Sequence, residues 1–244
     1  MMYSDLHTHT TFSDGKNTPE EMVLSAIEKG LKTIGIADHS FTWFDSDYCM
    51  KVEEIPSYIE EIGRLKEKYR DKIEVLCGIE QDLYSPKVDY KFDYVIGSVH
   101  YIKLQDEYIP IDLTAQRLKD AAEKYFGGDI YPLIEEYYRA VGTVAEETGA
   151  DIIGHFDLIT KFQEKEPLFD ENDERYINAW KSAVDKLIKA DIPFEINYGA
   201  ISRGYRTTPY PSKDIQEYII KKGGRFVYSS DSHNKDGIAN FKEL

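Results

Sequence analysis

Histidine is the residue type best able to do chemistry in this sequence, and its six copies follow a pattern. Each one ends a short apolar run typical of a strand, and none falls in a predicted helix; they are His7, His9, His39, His100, His155 and His233. In barrels of parallel strands, residues at the carboxyl ends of the strands meet at one mouth, where catalysis takes place. One such histidine alone is more often structural, but six converging imidazoles predict bound metal ions.

The spacing of two residue pairs supports this prediction. His7 and His9 lie two residues apart in a predicted strand, so both side chains point to the same face. Asp231 and His233 repeat this spacing in the last predicted strand, which lies beside the first strand in a closed barrel. We therefore expect the two pairs to meet.

Two further carboxylates complete the candidate ligand set. Glu80 ends an apolar run, where an unpaired carboxylate would be costly to bury but a carboxylate that bridges two ions would be satisfied. Asp14 follows the first strand within reach of the same mouth, although its place before Gly15 is also typical of a turn. Mixed His and carboxylate ligands suit zinc, manganese or iron. Nine candidates are too many for one ion and suit two or three divalent ions with positions left for water.

Four more aspartates flank these candidates. Asp38 and Asp82 are expected to orient imidazoles from behind. Asp5 and Asp157 could act in the same way or could cap helices. None of the four is predicted to be a direct ligand.

The elements that must position these residues alternate between strand and helix. Continuous apolar strands separated by helices are typical of a parallel sheet buried on both faces. Because the first strand ends in His-Thr-His and not in a glycine-rich phosphate loop, we favour an α/β barrel one unit short of eight over an open doubly wound sheet. Strands are predicted at 3–9, 32–39, 73–80, 94–100, 151–155, 192–197 and 225–233, a rim hairpin at 102–112, and helices at 18–30, 52–70, 114–125, 130–148, 171–190 and 212–222.

Composition limits the classes of function. The 244 residues include 30 Lys and Arg against 45 Asp and Glu, and the resulting formal charge of −15 argues against nucleic acid as a partner. Two cysteines do not make a disulfide framework, and neither a signal peptide nor an apolar run of membrane-spanning length is visible. We predict one domain, residues 1–244, in a cytoplasmic protein that acts on a small molecule away from membranes. The oligomeric state stays open.

The motifs, taken in order, resemble the PHP family, named for polymerase and histidinol phosphatase domains. They span the chain as HTHTTFSDG (7–15), ADHS (37–40), GIE (78–80), SVH (98–100), GHFD (154–157) and SDSH (230–233). Within the family the sequence is most similar to histidinol-phosphate phosphatases, through HTHTTFSDGK, SVHYI and EINYGAISRGYRTTPYPS (195–212). The resemblance implies a distorted (β/α)7 barrel and a trinuclear metal centre.

The resemblance also implies how the ligands are shared. The first ion would be held by His7, His9, Glu80 and Asp231, the second by Glu80, His100 and His155, and the third by Asp14, His39 and His233. Glu80, Asp231 and His233 are predicted to be catalytic as well as ligating.

Three basic residues are predicted to bind phosphate. Arg203 and Arg206 follow the sixth predicted strand at the same rim, and arginine suits a bidentate grip on phosphate, although either could instead form a surface salt bridge. Similar phosphatases carry an arginine shortly after the GH-D motif, where this chain has Lys161 as its nearest basic residue.

These features predict a phosphomonoesterase that hydrolyses L-histidinol phosphate to L-histidinol and phosphate, with water activated between metal ions. One alternative is a PHP phosphoesterase for phosphotyrosine, a nucleotide or a sugar phosphate. Another is a catalytically silent metal-binding module. A barrel amidohydrolase is less favoured, because no predicted strand ends in the lysine that often bridges ions in that class.

Overall fold

A sheet of seven parallel strands organises the computed structural model, which describes residues 4–241. The strands of this sheet follow the order β1-β2-β3-β4-β7-β8-β9, and β5 pairs with β6 as a separate antiparallel hairpin. Their bounds are β1 Ser4–Asp5, β2 Thr33–Ile36, β3 Glu74–Asp82, β4 Tyr94–Ser98, β5 Tyr101–Leu104, β6 Glu107–Pro110, β7 Ile152–Ile153, β8 Phe194–Asn197 and β9 Phe226–Ser229.

The chain just after β1 and just after β9 closes this sheet into a barrel. Thr8 and Ser232 form a parallel bridge. The amide of His9 donates to the carbonyl of Ser232 at 2.9 Å, and the amide of Ser232 donates to the carbonyl of His7 at 3.3 Å. The barrel is distorted, since β1 and β7 contribute only two residues each to the ladder. The predicted (β/α)7 barrel and its rim hairpin are confirmed.

Eight α-helices lie among the described residues, and most match their predicted positions. The first begins within one residue of its predicted start, with Thr18 as N-cap, Pro19 in the first turn and a capping box between Thr18 and Glu21. The helices are α1 Pro19–Glu28, α2 Ile55–Tyr69, α3 Ala115–Phe126, α4 Tyr131–Val141, α5 Val144–Thr148, α6 Glu174–Leu187, α7 Gly199–Ser202 and α8 Lys213–Lys221.

Three sequence predictions need correction. The single helix expected at 130–148 is two helices, because Gly142 disfavours a continuous helix and the Thr143 hydroxyl donates to the Ala140 carbonyl. The strand expected at 3–9 is regular only at Ser4–Asp5, and Tyr3 lies outside the described residues. The short helix α7 was not predicted. None of the helices within 4–241 combines the length and apolar character that a membrane span requires.

One tyrosine fills the interior of the barrel below the histidines. Tyr94 is buried, and its hydroxyl donates to the Leu6 carbonyl at 2.5 Å. Two glycines on neighbouring strands make room for its ring: a Cβ on Gly35 would lie 2.1 Å from the hydroxyl oxygen, and a Cβ on Gly78 would lie 2.3 Å from Cζ. The barrel is thus a packed core with its open end at the histidines.

Gly78→Ala is expected to lower the free energy of unfolding by about 1–3 kcal/mol, because the added methyl group overlaps the Tyr94 ring. Urea denaturation followed by circular dichroism measures the change. Gly63→Ala is the matched control, since Gly63 is exposed in α2 and a Cβ there meets nothing within 4 Å. The free energy of unfolding of the control should rise by roughly 0.5–1 kcal/mol, because alanine has a higher helix propensity than glycine. Equal stability of Gly78→Ala and wild type would contradict this packing.

Candidate metal centre

The barrel closure brings all six histidines to one end. The His9 ring stacks on His39 at 4.3 Å between ring centroids and on His233 at 4.2 Å. The ring centroids of His100 and His155 lie 4.9 Å apart, and His39 joins the two groups at 5.1 Å from His100. The residues come from the ends of five different strands, so only the closed barrel could assemble them.

Glu80 lies at the centre of this cluster, on β3. Its Oε2 lies 2.7 Å from Nδ1 of His39 and 3.2 Å from Nε2 of His7. Its Oε1 lies 2.9 Å from Nε2 of His155 and 3.4 Å from Nε2 of His100. One carboxylate therefore presents separate oxygens to two groups of imidazoles, which is the geometry that a bridging ligand needs.

Asp14 and Asp231 face the same cluster from opposite ends of the chain. Asp14 lies 3.2 Å from Nε2 of His233 and 3.7 Å from Nε2 of His39. Asp231 lies 3.3 Å from Nε2 of His9. Three sets of donor atoms each lie within 4.8 Å of one another, namely His9, Asp14, His39 and His233; His7, His9 and Glu80; and His39, Glu80 and His100.

Asp231 reaches the cluster through an uncommon backbone conformation. Its φ of 49° lies in the left-handed region, which non-glycine residues rarely adopt and which is often found at functional sites. Helix α7 packs directly on its carboxylate, because a Cβ on Gly199 would lie only 2.5 Å from Oδ2. Nη2 of Arg203 donates to the same oxygen at 3.0 Å. The conformation is thus supported by contacts on the carboxylate.

The donor set fits divalent ions. Neither ring nitrogen of His9 makes a hydrogen bond of good geometry within the described residues, and neither does Nε2 of His7, although both rings are fully buried. Unpaired buried polar atoms cost about 1–3 kcal/mol each. Burial and the neighbouring charges of His233 and His39 hold the pKa of His9 well below its ordinary value, which keeps the ring neutral. A neutral imidazole with a free nitrogen is the form that ligates metal.

The carboxylates at the centre are ionised. Burial alone would raise the pKa of Glu80, but the charges of His39 and His7 outweigh it and hold this pKa well below its ordinary value. Burial would likewise raise the pKa of Asp231, but the charges of the Arg203 guanidinium and His7 outweigh it and hold this pKa well below its ordinary value. Both side chains therefore carry the charge that stabilises a bound cation.

A match to the PHP domain model covers residues 5–199, which include most of this cluster. The chain belongs to the PHP domain family. It is 29% identical to the "Probable histidinol-phosphatase" of Deinococcus radiodurans, over 94% of this chain and 85% of that protein. It is 27% identical to the "Histidinol-phosphatase" of Lactococcus lactis, over 94% of this chain and 83% of that protein.

Solved structures share the PHP fold. A proposed histidinol phosphatase, HisK, from Listeria monocytogenes superimposes with a TM-score of 0.81 at 22% identity and covers 97% of both chains. Histidinol phosphate phosphatase from Lactococcus lactis, complexed with zinc, L-histidinol and phosphate, superimposes with a TM-score of 0.71 at 22% identity, over 96% of this chain and 87% of that one. At this identity, the structural likeness establishes the fold.

Glu195 on β8 is a functional candidate in this PHP domain that the sequence analysis did not single out. Its Oε1 lies 2.6 Å from Nδ1 of His7, and its Oε2 accepts hydrogen bonds from the Asn197 side chain at 2.8 Å and from the His155 amide at 2.9 Å. The Ser229 hydroxyl also donates to it. A carboxylate behind a ligating histidine fixes its tautomer and orientation. The available signal was an acidic residue inside the otherwise apolar strand IPFEIN (192–197).

Of the flanking aspartates that were expected to orient imidazoles, Asp82 does contact one. Its Oδ2 accepts from the His100 amide at 2.9 Å and lies 3.3 Å from Nδ1 of the same residue. Asp38 instead accepts from the amide and the hydroxyl of Thr10, both at 2.7 Å, and from the Ser13 hydroxyl. It therefore fixes the loop that carries Asp14.

The remaining two aspartates hold the backbone around the PHP site, and neither contacts an imidazole of the described residues. Asp5 accepts from the Ser230 amide at 3.0 Å and from the Ser230 hydroxyl at 2.6 Å, which secures the segment before Asp231. Asp157 accepts from the Ser212 amide at 2.9 Å, at the start of α8. Asp157 thus anchors the N-cap residue of α8, whereas it makes no capping hydrogen bond at the short 3-10 helix that follows it.

A cavity of about 450 Å³ opens beside the histidines, and two of the three predicted phosphate-binding residues line it. Lys161 donates through Nζ to the carbonyl of Asp112 at 2.8 Å and to its Oδ2 at 3.0 Å. Arg203 contacts the candidate ligand Asp231 and also lies 3.0 Å from Nδ1 of His233. Both cations are thus fixed at the cavity wall by neighbours.

Arg206 is placed differently from its prediction. Its side chain is 5% exposed, with Nη1 3.8 Å from Oδ2 of Asp157 and the guanidinium carbon 4.8 Å from the centroid of the Tyr210 ring. It also donates to the Thr160 hydroxyl. It is not part of the cavity lining, because its guanidinium packs among Asp157, Thr160 and the Tyr210 ring. We therefore leave Arg206 out of the proposed phosphate site.

Proposed function

We propose that this chain is a metal-dependent phosphomonoesterase that hydrolyses L-histidinol phosphate to L-histidinol and phosphate. The observation that carries the proposal is the cluster of imidazoles and carboxylates around Glu80, beside a cavity lined by Lys161 and Arg203. The names of its curated relatives, histidinol-phosphatases that align over most of their length, support the same substrate.

Each part of the site has a distinct proposed task. Divalent ions in the cluster would supply the Lewis acidity for attack of water on phosphorus. Lys161 and Arg203 would bind the phosphoryl oxygens and balance their charge, since both lie at the cavity wall next to the cluster. Asp231 and His233 would keep their place through contacts with Arg203, which links phosphate binding to the integrity of the ligand set.

The three sets of donor atoms support a proposal of two or three ions. The sets share members: Glu80 and His9 each belong to two of them, and His39 does so as well. Shared ligands are typical of ions a few ångströms apart. The proposed assignment keeps Asp231 with the His7, His9 and Glu80 set, because its Oδ1 lies 3.3 Å from Nε2 of His9.

The proposal is tested by elemental analysis of the purified protein together with phosphate release from a panel of esters. We expect two to three equivalents of zinc, manganese or iron, and a higher kcat/KM for L-histidinol phosphate than for phosphotyrosine, a nucleotide monophosphate and a sugar phosphate. Bound metal with preference for another ester would keep the phosphatase and reject the substrate. Bound metal without turnover of any ester would indicate a silent metal-binding module.

A further inference from the structure

The cavity beside the metal cluster has a second wall that contains none of the proposed ligands. It is built by the loop after β2 and by the β5–β6 hairpin with the residues that follow. We call this the aromatic wall, defined by its lining residues Asp45, Tyr48, Tyr101, Pro110, Asp112 and Leu113.

The aromatic wall begins directly at the metal cluster. The Tyr48 ring meets the His39 ring edge-on at 5.0 Å between centroids, and the Tyr101 ring follows at 6.4 Å from Tyr48. Phe44 packs edge-on against Tyr101 at 4.9 Å between ring centroids and stacks on Tyr108 at 3.9 Å, and these contacts hold the Tyr101 ring in place. An ester whose phosphate lies at the cluster would extend its organic half along these rings.

Asp45 carries the one carboxylate of the described cavity lining that lacks a cationic or imidazole partner. Asp14 and Asp231 face histidines, and Asp112 is paired with Lys161 at 3.0 Å. Asp45 accepts a hydrogen bond from the Tyr101 hydroxyl at 2.8 Å, and no described Lys, Arg or His nitrogen lies within 4.0 Å of its carboxylate. Its negative charge is therefore available to a molecule in the cavity.

A carboxylate among tyrosine rings is suited to a positively charged nitrogen. The ring faces attract cations, and the carboxylate accepts a charge-assisted hydrogen bond. Lys161 and Arg203 give another part of the lining a positive charge, so the cavity offers separate positions to a phosphate and to a cation.

We propose that Asp45 determines substrate specificity by binding a cationic nitrogen on the organic half of the phosphomonoester, with Tyr48 and Tyr101 packed beside it. This inference rests on the proposed phosphatase function and adds to it the residue that recognises the leaving group. Asp112 has a different task, because its pairing with Lys161 makes it a positioning residue for a phosphate-binding cation.

The test compares wild type with Asp45→Asn on two kinds of ester. L-Histidinol phosphate and O-phosphoethanolamine carry a cationic nitrogen, whereas glycerol phosphate and phenyl phosphate do not. We expect Asp45→Asn to lower kcat/KM for the cationic esters by roughly ten- to hundredfold, mainly through KM, as loss of a hydrogen bond to a charged group does. For glycerol phosphate and phenyl phosphate, kcat/KM should fall by less than about twofold.

Two control variants separate specificity from general damage. Asp47→Asn removes an acidic group from the same loop at an exposed position outside the cavity lining, and it should match wild type on all four esters. Asp112→Asn should lower kcat/KM for both kinds of ester alike, because it frees Lys161. A loss in Asp45→Asn that is equal for both kinds of ester would overturn the proposal.

A binding measurement keeps this inference separate from the identity of the substrate. Titration calorimetry with L-histidinol, which has the cation and no phosphate, should show weaker binding to Asp45→Asn than to wild type, and equal binding would count against Asp45. If wild type prefers O-phosphoethanolamine and Asp45→Asn loses that preference, the histidinol assignment fails while the role of Asp45 stands. If wild type favours neither cationic ester, the histidinol assignment and the role of Asp45 are both overturned, while the proposed phosphatase activity stands.

Discussion

Glu80→Gln is expected to lower kcat/KM for any hydrolysed phosphomonoester by more than about a hundredfold. This loss is larger than the roughly ten- to hundredfold loss that is usual when a residue that supports a metal ligand is changed, because Glu80 is itself a proposed ligand. The carboxylate presents one oxygen to His7 and His39 and the other to His100 and His155, so a neutral amide would disrupt both groups together. The protein should also lose at least one equivalent of metal. Elemental analysis after gel filtration and steady-state kinetics measure the two effects.

Glu74→Gln is the matched control for this prediction. Glu74 begins the same strand, β3, at an exposed position where its carboxylate accepts from the Thr33 hydroxyl. The control should keep the metal content and the activity of wild type. Circular dichroism should show that both variants fold. Full metal content in Glu80→Gln, with activity within a few fold of wild type, would refute a bridging role.

Glu195→Gln is expected to weaken metal binding by roughly ten- to hundredfold, the usual effect of removing the carboxylate behind a ligating histidine. Burial raises the pKa of Glu195, but the charges of His7 and the contact with its Nδ1 outweigh this and keep the group ionised. The amide retains the size of the side chain and loses the charge that makes His7 a strong ligand. Competition with a chromogenic chelator measures the affinity directly.

A purely structural role for Glu195 would give a different result. In that case Glu195→Gln would lower the thermal stability of the metal-free protein without changing its metal affinity, so melting in excess chelator separates the two explanations. Glu217→Gln, at an exposed position on α8, is the control and should change neither quantity. Glu195→Asp keeps the charge and should recover part of the lost affinity.

Arg203 joins two tasks that the sequence presented as separate. The sequence predicted that Arg203 binds phosphate. Arg203 does line the cavity, but it also donates to Asp231 and contacts His233. Gly199 makes this arrangement possible, since a Cβ there would lie 2.7 Å from Nη2 of Arg203. Changes at Arg203 are therefore unsuitable for separating phosphate binding from metal binding, and Lys161 is the better position for that purpose.

The sequence alone indicated the fold class and the membership of the cluster. Alternating apolar strands and amphipathic helices defined a parallel barrel, and the order of the histidine motifs placed their side chains at the carboxyl ends of its strands. This worked because strand periodicity and chain order are local properties. The break at Gly142 was missed because the apolar pattern from 130 to 148 continues with helical spacing across that glycine.

Charge partners were decided only by the tertiary structure. Nothing local distinguishes Arg203 from Arg206, yet the fold sets the first beside Asp231 and draws the second to the buried Asp157. Likewise, the importance of Glu195 depends on His7, which lies 188 residues away in the chain. A buried charge must find its partner across the fold, because leaving it unpaired costs several kcal/mol. Sequence therefore determined which residues could do chemistry, and the closing of the barrel determined which of them act together.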